Sequence, residues 1–267
     1  IANAGYNFWN DLYDFETNSF YLALDKSGNN VTNVSCFGGS DGSATATAVG
    51  GDISITGNYS YSWDPSGETT PTASGLTAGQ IVITVMDDNG CVATDTAEVT
   101  EPPAMTLTAD VVDVTCNGNN NGSITLNPGG GSGFFDYDWD TDGTGDLDDE
   151  QNLTLISQGT YVLTLYDSIN NICKIDTSFT IIEPDAVFVG PTTVQEISCA
   201  GDNNGSITIS PFGGTTNSNP YTFDWDNDGT GDLDDEQNLT GLSGGTYTVK
   251  IIDDVGCEKD STISINT

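Results

Sequence analysis

Two stretches of the chain concentrate carboxylates at a spacing that suits a hard cation. Asp138-Trp-Asp140-Thr-Asp142-Gly-Thr144-Gly-Asp146-Leu-Asp-Asp149 and Asp224-Trp-Asp226-Asn-Asp228-Gly-Thr230-Gly-Asp232-Leu-Asp-Asp235 both read D-x-D-x-D-G-x-x-D-x-x-D. A twelve-residue calcium loop takes ligands from positions 1, 3, 5, 7, 9 and 12 and turns at a Gly in position 6. Asp fills positions 1, 3, 5, 9 and 12 of each stretch, Gly143 and Gly229 fall at 6, and Thr144 and Thr230 offer backbone carbonyls from 7. Carboxylates packed this densely repel one another unless a cation holds them. An oxygen-only set suits Ca²⁺ better than zinc or copper. The candidate Ca²⁺ ligands are therefore Asp138, Asp140, Asp142, Thr144, Asp146, Asp149 and Asp224, Asp226, Asp228, Thr230, Asp232, Asp235, with Asp148 or Glu150 competing for the twelfth position. The alternative is a solvated acidic turn held by Asx hydrogen bonds.

The 6 Cys form a second pattern. None lies in a CxxC pair, and Cys36 to Cys91, Cys116 to Cys173 and Cys199 to Cys257 span 55, 57 and 58 positions. Near-equal gaps predict three equivalent disulfides, Cys36–Cys91, Cys116–Cys173 and Cys199–Cys257, rather than a metal knuckle. Disulfides persist in oxidising compartments, so an extracellular protein is expected. The chain opens on Ile1, without an initiator Met or an apolar signal stretch, which reads as a processed protein or a piece of a longer one.

Composition removes several classes of function. With 4 Lys and Arg against 40 Asp and Glu, a net charge of -36 leaves nothing to neutralise phosphates, so nucleic acid is excluded as a partner. An anionic membrane surface would repel the chain. No apolar run is long enough for membrane insertion as a helix. His is absent, and with it the commonest general base and zinc ligand. Paired carboxylates could serve a glycosidase, but here they recur in loop-like contexts, so no catalytic residue is assigned. Asp87-Asp88 and Asp253-Asp254 precede a Cys and read as solvated turn residues.

The elements that must position these groups are repeated. Cys36-Phe-Gly-Gly-Ser-Asp-Gly-Ser43 is echoed by Cys116-Asn-Gly-Asn-Asn-Asn-Gly-Ser123 and Cys199-Ala-Gly-Asp-Asn-Asn-Gly-Ser206. An aromatic-x-aromatic-x-Trp-Asp run ends at Asp64, Asp140 and Asp226. A Leu or Ile, a Gly and an alternating run follow: Leu76 to Val85, Ile156 to Leu165, Leu242 to Ile251. The second Cys comes next, and Glu101-Pro102 and Glu183-Pro184 close the first two units. Short period-2 runs broken by Gly, Asn and Asp predict strands throughout. Asn121-Gly122 and Asn204-Gly205 read as tight turns needing positive φ. One Trp per unit (Trp63, Trp139, Trp225) is expected in the core, facing away from the flanking Asp pair. The expected fold is all-β: tandem small β-sandwiches of the immunoglobulin-like or PKD-like kind, each with one intradomain disulfide. Residues 1–30 read as the tail of a preceding degenerate repeat or an N-terminal strand segment. Residues 31–103 read as repeat 1, 104–185 as repeat 2 with an acidic loop, and 186–267 as repeat 3 with an acidic loop.

These landmarks resemble the SprB repeat, a module of very large surface adhesins of gliding Bacteroidota. The resemblance rests on the Cys, the Gly-Ser turn, the Trp run, the Leu–Gly–Tyr run, Asp254-Val-Gly-Cys257 and Glu-Pro, over about residues 31–267. Repeat 2 departs at Asn171-Ile-Cys173, where Gly is lost, and repeat 1 carries Ile81 in place of Tyr. The resemblance implies type IX secretion and a surface-exposed, Ig-like or PKD-like module without catalysis. The acidic loops resemble those of dockerins and thrombospondin type 3 repeats, but have Gly145 and Gly231 where an apolar residue is usual.

The leading functional reading is a non-enzymatic, calcium-stiffened stalk segment of a secreted cell-surface adhesin, engaging a surface or glycan ligand. The alternative is a subunit of an extracellular filament, a homopolymer built by strand exchange through residues 1–30 or by end-to-end packing. A carbohydrate-binding module is weaker, because the aromatics follow core periodicity.

Overall fold

The computed structural model describes residues 13–14, 19–20, 31–48, 50–140, 149–169, 172–216, 221–226 and 235–266. Among them every regular element is a β-strand. A short antiparallel hairpin pairs β1 (Tyr13–Asp14) with β2 (Ser19–Phe20). The remainder of 1–30, read above as a preceding tail or strand segment, lies outside the described residues.

One six-strand plan then occurs three times. The first set is β3 (Val31–Thr32), β4 (Gly42–Thr45), β5 (Ser60–Asp64), β6 (Thr72–Leu76), β7 (Gly79–Met86) and β8 (Val92–Val99). The second is β9 (Thr106–Val112), β10 (Gly122–Gly129), β11 (Phe135–Trp139), β12 (Leu153–Ile156), β13 (Gly159–Asp167) and β14 (Lys174–Ile181). The third is β15 (Thr192–Gln195), β16 (Gly205–Ile209), β17 (Tyr221–Trp225), β18 (Leu239–Leu242), β19 (Gly245–Asp253) and β20 (Glu258–Ile265). In each set the first, second and fourth strands make one sheet with the second central, and the third, fifth and sixth make another with the fifth central. By backbone proximity the residues fall into two compact units, Ile1–Leu107 with Pro128–Asp136 and Thr164–Ile175, and Thr108–Asn127 with Tyr137–Leu163 and Asp176–Thr267.

Alternation explains how the sheets close on each other. In β7, Ile81, Ile83 and Val85 are buried while their neighbours are not; in β19 the same holds for Val249 and Ile251. A strand presents successive side chains to opposite faces, so one face of each sheet is apolar. In the first set that face meets Ala44 and Ala73 of the other sheet around Trp63. In the third, Ile207, Ile209 and Leu242 meet Phe223, Val249 and Ile251 around Trp225. Trp63, Trp139 and Trp225 are 4%, 0% and 0% exposed, as their alternation requires. Trp139 also packs against Phe179, ring centroids 6.0 Å apart.

Two expectations need correction. Gly122 and Gly205 open β10 and β16 and are not among the positive-φ glycines. They are needed for close approach: a Cβ on Gly122 would sit 3.0 Å from the Ile156 carbonyl and the Ile181 side chain, and one on Gly205 would sit 3.0 Å from the Leu242 carbonyl. The larger correction concerns the disulfides. The bonds are Cys36–Cys173 and Cys116–Cys257, each with a Cα separation of 5.5 Å, while Cys91 and Cys199 are free. None of the three intradomain pairs forms.

Strand length is the reason. Cys36 lies in the turn between β3 and β4, at the end of the set where Gly42 pairs with Leu76. A Cβ on Gly42 would lie 2.9 Å from the Val99 side chain, so this is also the end where β8 finishes. Cys91 lies in the turn between β7 and β8, beyond the opposite end of that hairpin, where Met86 pairs with Val92. At about 3.3 Å per residue, the eight residues of β7 hold the two cysteines roughly 25 Å apart. Equal spacing records the repeat period, and pairing across repeats satisfies it as well as pairing within.

The core makes a direct prediction. Trp225→Ala should destabilise the protein by about 3–5 kcal/mol, because truncating a buried aromatic removes transfer energy and leaves a cavity. Met86→Ala, at an exposed position, should change stability by less than about 0.5 kcal/mol. Urea midpoints of the two variants check this.

Candidate functional site

The acidic loops start where a core strand ends. Trp139 and Trp225 are the last residues of β11 and β17, with Asp138 and Asp224 half-buried before them and Asp140 and Asp226 exposed after them. The loops are closed at the neck by these same Trp residues. The Trp139 N–H donates to Asp149 Oδ2 at 2.5 Å, and its Nε1–H donates to the Glu150 carbonyl at 3.0 Å. Trp225 does the same to Asp235 at 2.5 Å and Glu236 at 3.1 Å. The twelfth position of each loop thus returns to the second. Asn152 Oδ1 accepts from the Leu126 N–H at 2.9 Å, and Asn238 Oδ1 from Ile209 at 3.0 Å, which ties the far side of each neck to the other sheet. In the first repeat a short turn does this job, with the Trp63 N–H on the Glu68 carbonyl at 3.0 Å.

The structure therefore brings positions 1, 3 and 12 of each loop toward one neck. Asp142, Thr144, Asp146, Asp228, Thr230 and Asp232 lie outside the described residues. Among the described residues, no three His, Cys, Asp or Glu side chains are grouped to hold a metal ion. Asp226 Oδ1 accepts the Thr248 N–H at 2.9 Å, so part of its valence serves the strand.

The disulfides define a second kind of site. Each repeat carries one Cys at its exit end, near the strand that leads to the next repeat, and one at its entry end. The exit cysteine sits in a four-residue turn: the Cys36 carbonyl accepts from Gly39 at 3.0 Å and the Cys116 carbonyl from Asn119 at 3.1 Å. Gly38 and Gly118 supply φ of 70° and 78° at the third position, which this turn demands. The glutamate of each Glu-Pro then holds the turn. Glu101 Oε2 accepts the Gly38 N–H at 2.6 Å, and Glu183 Oε2 the Gly118 N–H at 2.7 Å.

The entry cysteine is held by a buried aspartate that sequence reasoning missed. Asp87, Asp167 and Asp253 are 8%, 2% and 6% exposed, against the expectation that Asp87 and Asp253 are solvated turn residues. Each continues the inward register of its strand, two positions past Val85, Leu165 and Ile251. Each enters a nest made by a Gly-Gly pair in left-handed conformation, where a Cβ on Gly51, Gly131 or Gly214 would lie within 2.9 Å of its carboxylate. Asp87 accepts from Asp52 and Cys91 N–H at 2.9 and 2.8 Å, and Asp253 accepts from Thr215 and Cys257 N–H at 2.7 and 2.8 Å. Asp167 accepts from the Ser132 N–H at 2.7 Å and its hydroxyl at 2.5 Å. The missed signal was the alternation itself, which counts these aspartates inward. Hydrogen bonds from the Asp52 and Cys91 backbone hold the Asp87 carboxyl below the usual carboxylate range. Burial pushes Asp167 up, but the Ser132 hydroxyl and N–H outweigh it and leave Asp167 lowered too.

The SprB repeat family model matches residues 28–68, 108–144 and 192–230, one match on each six-strand set. The chain carries three SprB repeats. SprB repeats are modules of extracellular, adhesin-type proteins rather than enzymes. A search of curated protein sequences found no significant match. Among solved structures, the chain is similar to three N-terminal domains of the outer capsid protein Hoc of bacteriophage RB49, at 16% identity over 93% of this chain and 96% of that one, with a TM-score of 0.38. It is also similar to the N-terminal eight Ig domains of Down Syndrome Cell Adhesion Molecule, at 11% identity over 84% of this chain and 34% of that one, with a TM-score of 0.39. Domains 4–9 of the surface layer protein SbsC match at 15% identity over 92% and 47%, with a TM-score of 0.24. Among the described residues no helix is long and apolar enough to cross a membrane.

The buried aspartates of these SprB repeats make a pH-dependent prediction. Asp167→Asn should cost about 1.5–3 kcal/mol at pH 7, the range for hydrogen bonds to a charged group. A carboxylate with a lowered folded pKa stabilises fully above its unfolded pKa, and this is lost as pH falls through the folded value. The gap between wild type and variant should therefore shrink from pH 7 to pH 2. Urea midpoints at both pH values measure it, and an equal loss at both would contradict the role.

Proposed function

We propose that this chain is a non-enzymatic stalk segment of a secreted bacterial cell-surface adhesin, made of SprB repeats at about 31–103, 104–185 and 186–267. The observation that carries the reading is the bonding of one SprB repeat to the next by disulfides, with the turn of each bonded exit cysteine held by a glutamate and the carbonyl of each bonded entry cysteine held by the N–H of a buried aspartate. Tension along such a segment passes through covalent bonds between modules as well as through the linkers. The acidity supports it, since like-charged arrays stay soluble and apart. Secretion through the type IX route and a part in gliding motility are the family context in which a stalk of this kind would work, with a surface or glycan ligand bound elsewhere on the parent protein. Antibodies against the chain should label intact, unpermeabilised cells; labelling only after permeabilisation would overturn the reading.

Calcium stiffening belongs to this proposal. The donor chemistry fits a hard cation, and the Trp–Asp hydrogen bonds that return the twelfth position of each loop to the second support the reading. When bound, Ca²⁺ would neutralise the loop carboxylates, held by Asp138, Asp140, Asp142, Asp146 and Asp149 with the Thr144 carbonyl, and by Asp224, Asp226, Asp228, Asp232 and Asp235 with the Thr230 carbonyl. Repeat 1 has Asp64-Pro-Ser-Gly67 instead and should not bind there. Binding selective for the folded state adds about 2.7 kcal/mol at a hundredfold excess over Kd.

Calorimetric titration should therefore find two Ca²⁺ sites, and chelation should lower the melting temperature. Asp142→Ala with Asp228→Ala should abolish both effects, whereas Glu98→Gln with Asp110→Asn, both exposed, should leave them intact. Fewer than two sites, or equal loss in both double variants, would make the loops ordinary solvated turns.

A further inference from the structure

Both disulfides obey one rule: the exit cysteine of one repeat bonds the entry cysteine of the next. Cys36 of the first repeat bonds Cys173 of the second, and Cys116 of the second bonds Cys257 of the third. The rule leaves one entry cysteine, Cys91, and one exit cysteine, Cys199, and both are free and exposed.

Each of the two is presented in the geometry of its bonded counterparts. The Cys199 carbonyl accepts from the Asp202 N–H at 3.0 Å, as Cys36 and Cys116 accept in their turns, and Gly201 takes φ of 91° where Gly38 and Gly118 are also left-handed. The Cys91 N–H donates to Asp87 Oδ1 at 2.8 Å, the distance of Cys257 to Asp253. The Cys91 carbonyl accepts from Asp87 at 3.1 Å, as Cys173 and Cys257 accept from Asp167 and Asp253 at 2.9 and 3.1 Å. Cys91 is thus held as an entry half and Cys199 as an exit half, at sites where the same two local structures are joined twice in this molecule.

We propose that Cys91 and Cys199 are complementary halves of a third type of copy of this junction. Cys91 receives the exit cysteine of another SprB repeat, and Cys199 receives the entry cysteine of another. The inference rests on the tandem-repeat reading and is independent of calcium. Two thiols give up two protons and two electrons to a disulfide oxidant such as oxidised glutathione, which is released as two thiols while one S–S bond forms. The route is thiolate attack through a mixed disulfide. The partner repeat comes either from the same polypeptide or from a second chain.

The test uses the whole chain in a glutathione redox buffer. In the first arm, two copies are joined end to end, with Cys91→Ser in the first and Cys199→Ser in the second, so that one complementary pair remains. In the second arm, the separate Cys91→Ser and Cys199→Ser chains are mixed in equal amounts. The unsubstituted chain is mapped alongside, and retention of Cys36–Cys173 and Cys116–Cys257 certifies folding. A Cys199–Cys91 bond in the joined copies, exceeding symmetric linkages by at least about tenfold as tethering favours, supports a partner along the same polypeptide. The same bond in the mixture supports a partner from a second chain. Free thiols in both arms, or Cys91–Cys91 and Cys199–Cys199 bonds as abundant as the mixed one, would overturn the proposal. Neither result would touch the surface-labelling test, so the two readings fail separately.

Discussion

The separation of the two cysteines by the length of a central strand is the constraint from which the organisation of this protein follows. A sandwich of three-stranded sheets places its turns at two ends, and an eight- or nine-residue fifth strand keeps those ends apart. A cysteine at each end cannot staple its own module. It can only staple neighbours, so the disulfides become junctions of an array instead of braces of a domain. Closing chain loops of 137 and 141 residues, each bond removes about 5 kcal/mol of unfolded-state entropy on the chain-entropy model. Because each bond closes on residues of two repeats, it restricts the unfolded chain of both.

The carboxylates are arranged around the same constraint. Of 40 acidic residues, those that shape the structure are few, and they accept backbone N–H groups at the repeat ends. Asp87 and Asp253 fix the backbone of the entry cysteine, and Glu101 and Glu183 fix the exit turn. Asp149 and Asp235 close the necks of the acidic loops on the core Trp residues. A carboxylate accepts several N–H bonds without needing a cation partner, which suits a chain with 4 Lys and Arg.

Much of the fold was legible in the sequence because its signals are local and repeated. Strand alternation, the position of each core Trp and the three-fold recurrence all come from periods that one strand or one turn determines. The SprB landmarks reinforced one another for the same reason. The disulfide connectivity was not legible, because Cys36, Cys91 and their equivalents recur with one period and any constant offset in repeat number preserves it. Only the three-dimensional fact that the turns lie at opposite ends of β7 chooses the offset. Asp87 and Asp253 were misread because a charged residue in an Asp-Asp pair before a turn looks solvated, although counting in steps of two from Val85 and Ile251 turns them inward. Gly122 and Gly205 were misread because Asn-Gly is a turn signal, whereas here the glycine makes room for the Ile156 and Leu242 carbonyls.

Peptide mapping of the unreduced chain tests the central claim most directly, with thiols alkylated before digestion. The account predicts two cross-linked species, Cys36 with Cys173 and Cys116 with Cys257, and alkylated Cys91 and Cys199. Recovery of Cys36 with Cys91, Cys116 with Cys173 and Cys199 with Cys257 would mean that each repeat braces itself, and would contradict the account.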